Sequence, residues 1–140
     1  MYTYNYPRAA LTVDAIAFVK EGHTFFVLLI ERGREPFKNK WALPGGFIEM
    51  DETLETACKR ELLEETGLAV EKMTQFKTYD AIDRDPRHRT ISVIYYTELD
   101  EKKQVKGGDD ATRAGWFDIS DLPELAFDHK QILEEFFAFL

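Results

Sequence analysis

Cysteine is nearly absent: Cys58 is the only one among 140 residues. No disulfide can form within the chain, so its stability must come from a packed core, and the composition suits a reducing compartment such as the cytosol. Cys58 itself is expected to be a small core residue. Long apolar runs are lacking as well. No segment reaches the roughly 20 residues needed to span a bilayer, and Met1 to Tyr6 lacks the apolar centre of a signal peptide. Basic residues are in the minority, 18 against 26 acidic ones, and the net charge of -8 argues against a nucleic-acid partner or a membrane surface. Histidine is scarce too. His23 falls in a predicted hairpin turn and is expected to be solvated. His129 opens a predicted helix, where a structural role is expected. Neither has a histidine or cysteine partner at metal spacing, so zinc is not expected. There is no internal repeat and no low-complexity linker. The 44% of hydrophobic residues is enough for one globular domain over residues 1–140.

What the chain does have is a concentrated acidic run, Gly46 to Leu68, GFIEMDETLETACKRELLEETGL. Thr53 is a predicted helix N-cap and Gly67 a predicted stop. Leu54, Ala57 and Cys58 form one apolar stripe. At about 100° per residue, Glu61 and Glu65 fall in the middle of that stripe and Glu64 on its margin. These carboxylates are therefore expected to face the rest of the domain. Like charges on a half-buried face repel and lose solvation. Arg60 can neutralise one of them, so metal ions are the economical counter-charge. Just upstream, the turn Leu43-Pro44-Gly45-Gly46 frees backbone groups, and carboxylates beside exposed carbonyls suit hard divalent cations.

The remaining pattern is α/β. Strands are predicted over 11–19, 24–30, 70–79, 90–99 and 114–119, with a turn at Glu21-Gly22 and a polar loop over 31–40. A second helix is predicted over 128–140, with Asp128 as N-cap and Gln131 at the capping-box position. It ends on Phe136, Phe137, Phe139 and Leu140, which calls for a core, a homodimer interface or a continuing chain. Strands interleaved with two helices give an α/β sandwich.

The acidic run resembles the Nudix hydrolase box, G-x5-E-x7-R-E-U-x-E-E-x-G-U, at every fixed position: Gly46, Glu52, Arg60, Glu61, Leu62, Glu64, Glu65, Gly67 and Leu68. A chance match at the seven single-residue positions is rarer than about one in ten million. The resemblance implies the Nudix fold, a mixed β-sheet sandwiched between α-helices, and hydrolysis of a nucleoside diphosphate derivative. It further implies Mg2+, with Mn2+ as a possible substitute. Glu61, Glu64 and Glu65 become the expected catalytic metal ligands, together with the Gly45 carbonyl. Gly46, Glu52, Arg60 and Gly67 become structural, with Glu52 and Arg60 as an ion pair bracing loop against helix. The general base varies in this family, and Asp109 or Asp110 is a candidate extra ligand or base.

The segment Tyr79 to Thr90, YDAIDRDPRHRT, is similar to a stretch of the small ADP-ribose pyrophosphatases, as are GGDDA, LAFDHKQIL and Tyr6-Pro7-Arg8. On that resemblance Arg84, Arg87 and Arg89 are expected to bind substrate, since arginine forks suit phosphate oxygens. Tyr4, Tyr6 or Phe47 could stack on an adenine ring. The expected reaction is cleavage of ADP-ribose to AMP and ribose 5-phosphate. One alternative is another nucleotide: an oxidised dNTP, a sugar nucleotide or a dinucleoside polyphosphate. Another is a ligand-sensing domain, because some regulators of NAD metabolism resemble this subgroup and carry a winged helix beyond the Nudix domain.

Overall fold

A computed structural model describes residues 1–108 and 110–140. Its elements run β1 (Ala10–Glu21), β2 (Thr24–Arg32), β3 (Trp41–Ala42), β4 (Gly45–Phe47), α1 (Leu54–Thr66), β5 (Thr74–Tyr79), β6 (Thr90–Leu99), β7 (Ala111–Asp118) and α2 (His129–Phe139). The seven strands form one mixed sheet in the order β3-β2-β1-β6-β5, with β4 pairing to β1 and β7 to β2. The β1–β6 ladder is parallel and the others are antiparallel.

Strand periodicity explains why each face of the sheet needs a helix. Successive side chains of a strand point to opposite faces. In β1, Val13, Ala15 and Ala17 pack with Ala57, Cys58 and Leu62 of α1. The alternate residues Ile16 and Phe18 pack with Ile132, Leu133 and Phe136 of α2. Both faces are thus apolar, and β1 is fully buried from Val13 to Val19 apart from Asp14, which is 8% exposed. A carboxylate among these residues needs a partner or a purpose.

The α1 boundaries agree with the sequence reading. The Thr53 side chain accepts from Thr56 N, and Gly67 closes the helix in the left-handed region at φ 79°. The start of α2 differs. Asp128 is the N-cap by position, but its side chain makes no cap hydrogen bond. Its carboxylate instead accepts two hydrogen bonds from Arg84, at 2.9 and 2.8 Å. Gln131 does not close a capping box either; it donates to Glu135. A charged bidentate partner is roughly twice as strong as a neutral main-chain one, so the tertiary contact wins the carboxylate. Strand β5 begins at Thr74, later than the pattern suggested, and β7 begins earlier, at Ala111. At the end of α2, Phe136 is buried against Phe18, Phe76 and Tyr96, whereas Phe139 and Leu140 are exposed. Among the described residues no helix is long and apolar enough to cross a membrane.

Candidate active site

A cavity of about 430 Å3 opens where α1, the glycine turn, the 84–90 segment and the start of α2 meet. Its carboxylate lining near the glycine turn is built by register. Strand β4 lies antiparallel to β1 with Asp14 opposite Gly45 and Val13 opposite Gly46. A Cβ at Gly45 would collide with the Val13 carbonyl and the Asp14 carboxylate, and one at Gly46 would sit 2.8 Å from the Glu61 carboxylate. Two glycines are therefore what allows the turn to lie against acidic side chains.

Glu61 and Glu65 line the cavity. Glu65 is the buried one, 6% exposed, and Gly45 N donates to its Oε1 at 2.7 Å. It has no ion pair among the described residues. Burial pushes its carboxyl up to about 8, and the nearby Glu61, Asp14 and Asp110 add to the rise, while the Gly45 N–H opposes it. Glu64 departs from the expected inward orientation: its side chain is 40% exposed and lies outside the cavity lining.

Arg60 does more than the sequence reading allowed. It forks onto Glu52 at 3.0 and 2.6 Å, and its Nη1 also reaches Glu61 at 2.9 Å and Glu64 at 3.2 Å. One guanidinium thus serves three carboxylates, not one. The Glu52 hydrogen bonds hold its pKa well above the ordinary arginine value. Glu52 in turn accepts from Glu49 N at 2.9 Å, which pins the 47–52 loop to α1.

The cavity also carries basic residues. Arg32, Arg34, Arg84 and Arg87 line it, with Phe127 among them. Arg84 is held by Asp128, and Arg87 forks onto Asp85 at 3.1 and 2.8 Å. Arg34 pairs with Asp110 at the rim. Arg89 lies outside the lining and donates to the carbonyls of Asp80 and Ala81. Of the four arginines in the lining named above, Arg32 is the one with no carboxylate partner among the described residues. Its Nε donates to Pro36 O at 2.8 Å and its guanidinium lies 5.0 Å from the Phe127 ring centre. Burial and the neighbouring Arg87 lower its pKa.

Of the expected site residues, then, the cavity brings together Gly45, Gly46, Arg60, Glu61, Glu65, Arg84, Arg87 and Asp110. Asp109 lies outside the described residues. Phe47 lines the cavity, whereas Tyr4 and Tyr6 lie outside it and are exposed. The sequence reading missed Asp14 and Arg32 as cavity residues, and it gave His129 a structural role without placing it at the cavity. For Asp14 a signal existed: one acid inside the apolar run LTVDAIAFV.

The donor set tests the metal. Glu61, Glu65 and Asp14 offer oxygen only, the chemistry Mg2+ and Mn2+ take. Among the described residues no group of three such side chains yet stands close enough to hold an ion. Arg60 engages both Glu61 and Glu64 in this arrangement. The residues fit a divalent ion provided those carboxylates turn from Arg60.

A family model for the NUDIX domain matches residues 9–137. The chain is 44% identical over 131 residues to an ADP-ribose pyrophosphatase of Methanocaldococcus jannaschii, covering 94% of this chain and 75% of that one. It is 33% identical over 138 residues to an ADPR-responsive transcriptional repressor of Acinetobacter baylyi, of which it spans only 55%. Among solved structures, the NUDIX domain of Shewanella oneidensis NrtR complexed with ADP ribose superposes with a TM-score of 0.88 at 31% identity, over 95% of this chain and 89% of that one.

Proposed function

The chain belongs to the Nudix family, and from that premise we propose that it cleaves the pyrophosphate bond of ADP-ribose, with Mg2+ as cofactor and Mn2+ as substitute, to give AMP and ribose 5-phosphate. It is a Nudix pyrophosphohydrolase; the nucleotide and the metal are the proposal. The observation that carries it is one cavity lined both by the carboxylates Glu61 and Glu65 and by the arginines Arg32, Arg34, Arg84 and Arg87. The pyrophosphatase named above and the ADP-ribose complex support the choice of substrate.

In this reading Glu65, Glu61, Glu64 and the Gly45 carbonyl would hold the ion. The bound ion would neutralise phosphate charge and acidify a water. The Gly45 N–H keeps the Glu65 carboxylate aimed, so little reorganisation is needed at the reacting centre. Asp110 or Asp109 supplies an extra ligand or the base. Arg32, unpaired and half-buried, takes a phosphate oxygen. Arg84 and Arg87 are pre-oriented by Asp128 and Asp85, so they contribute direction at low entropic cost. Arg89 braces the loop.

The test is a nucleotide panel with Mg2+. ADP-ribose should give the highest kcat/KM, and an oxidised dNTP better by tenfold or more contradicts the assignment. Arg32→Ala should raise KM for ADP-ribose about tenfold to a hundredfold, since hydrogen bonds to charged groups are worth roughly 1.5–3 kcal/mol. Unchanged KM in single alanine variants of Arg32, Arg84 and Arg87 would remove these arginines from substrate binding.

A further inference from the structure

The lead-in to α2 is stitched to the glycine turn from far away in sequence. Trp41 N donates to Glu124 O at 3.1 Å, and Ala126 N donates to Trp41 O at 2.8 Å. The third link uses a side chain: Leu43 N donates to His129 Nδ1 at 3.0 Å across 86 residues. His129 is buried, 3% exposed, between the α2 core and the cavity floor. Because Nδ1 accepts, a neutral ring carries its proton on Nε2. That nitrogen lies 3.9 Å from Asp14 Oδ1, and the other Asp14 oxygen accepts from Ser92 Oγ at 2.5 Å. The turn continues from Leu43 to Pro44, whose carbonyl accepts from Ala15 N at 2.8 Å, and then to Gly45, whose N–H donates to Glu65.

We propose that His129 is a positioning residue for the carboxylate end of the site: its Nδ1 acceptor fixes the Leu43 N–H and thereby sets the Gly45 N–H that aims Glu65. No other side chain among the described residues accepts from the Leu43–Gly46 backbone except Glu65 itself. An imidazole suits the task because it is rigid and presents one acceptor and one donor at fixed angles. A displacement of about 1 Å at a catalytic group costs on the order of a hundredfold in rate, so a buried brace at this turn controls activity without touching substrate. On the other side of the ring, Asp14 Oδ1 faces Nε2 at 3.9 Å, too far for a hydrogen bond. The inference deepens the pyrophosphohydrolase reading and rests on it for its kinetic part only.

Asparagine and glutamine separate the acceptor role from general packing. The Asn amide oxygen can occupy the Nδ1 position, whereas the longer Gln places its polar atoms near Nε2. His129→Asn should retain at least about a third of kcat. His129→Gln should lose kcat about twentyfold and need about tenfold more Mg2+ for half-saturation, with KM for ADP-ribose changed less than threefold. Glutamine and wild type alike in kcat and Mg2+ requirement overturn the proposal, and so does equal damage by Asn and Gln. Should a variant fail to fold, nitrogen NMR on the wild-type protein decides the matter. An Nε2-protonated His129 with a slowly exchanging Leu43 amide is the expected result. A proton on Nδ1, or a Leu43 amide exchanging at the rate of a solvent-exposed loop, overturns it. These NMR outcomes stand whether or not ADP-ribose is the substrate.

Discussion

Glu65→Gln should lower ADP-ribose hydrolysis at least about a hundredfold while making the metal-free protein more stable at pH 8. The two effects have one cause. The side chain is buried and has no ion pair among the described residues, and burial pushes its carboxyl up to about 8 from an ordinary 4.5. A carboxyl raised in the folded state contributes stability that is complete below pH 4.5 and is lost as the pH climbs through about 8. At pH 8 the ionised form is therefore a burden that a divalent ion relieves and an amide removes. The amide oxygen of the variant can still accept from Gly45 N, so the turn keeps its anchor. In EDTA the variant should gain on the order of 2 kcal/mol over wild type at pH 8, several degrees in Tm, and much less at pH 5. The rate loss corresponds to roughly 3 kcal/mol of transition-state stabilisation. A thermal shift series in EDTA at both pH values checks the first part, and steady-state rates in Mg2+ check the second. Equal Tm differences at pH 5 and pH 8, or near-normal turnover, would be the wrong outcome.

Glu52→Gln acts by another route. Glu52 shares the Arg60 fork and accepts from Glu49 N, so it joins the 47–52 loop to α1. Its carboxyl is held below the usual range first by the Arg60 hydrogen bonds, and the Glu49 N–H helps. An amide keeps the shape but drops the charge, and Arg60 then turns more fully toward Glu61 and Glu64, the carboxylates proposed for the metal. The expected result is a loss of about 1–2 kcal/mol, since removing one charge of a half-buried pair strands the other, with activity down about tenfold. Thermal unfolding and kinetics on the same preparation test it. Activity abolished with an unchanged Tm would make Glu52 a direct catalyst.

Much of this was legible because it is local. The α1 caps follow from a hydroxyl at Thr53 and a residue at Gly67 that accepts positive φ. The inward Glu61 and Glu65 follow from helical spacing, and the two apolar faces of β1 from alternation. What was hidden depends on pairing across long sequence distances. The Asp14–Gly45 register, the Leu43–His129 bond and the Arg84–Asp128 fork join segments 31, 86 and 44 residues apart. The basic segment 84–89 shows the same limit from the other direction. Its arginines announce an anion site, but Asp85, Asp128 and main-chain carbonyls engage their guanidinium groups, and the cavity arginine without a carboxylate partner among the described residues is Arg32 at the end of β2, which donates to Pro36 O. Glu64 shows how one position on a helix margin can point outward when Arg60 draws it there.

The most direct test of the central claim is phosphorus NMR of ADP-ribose incubated with the purified protein and Mg2+. The two pyrophosphate resonances should give way to two phosphomonoester resonances, those of AMP and ribose 5-phosphate, and EDTA should stop the conversion. Pyrophosphate signals that persist in the presence of folded protein and Mg2+, or conversion that proceeds undiminished in EDTA, would contradict it.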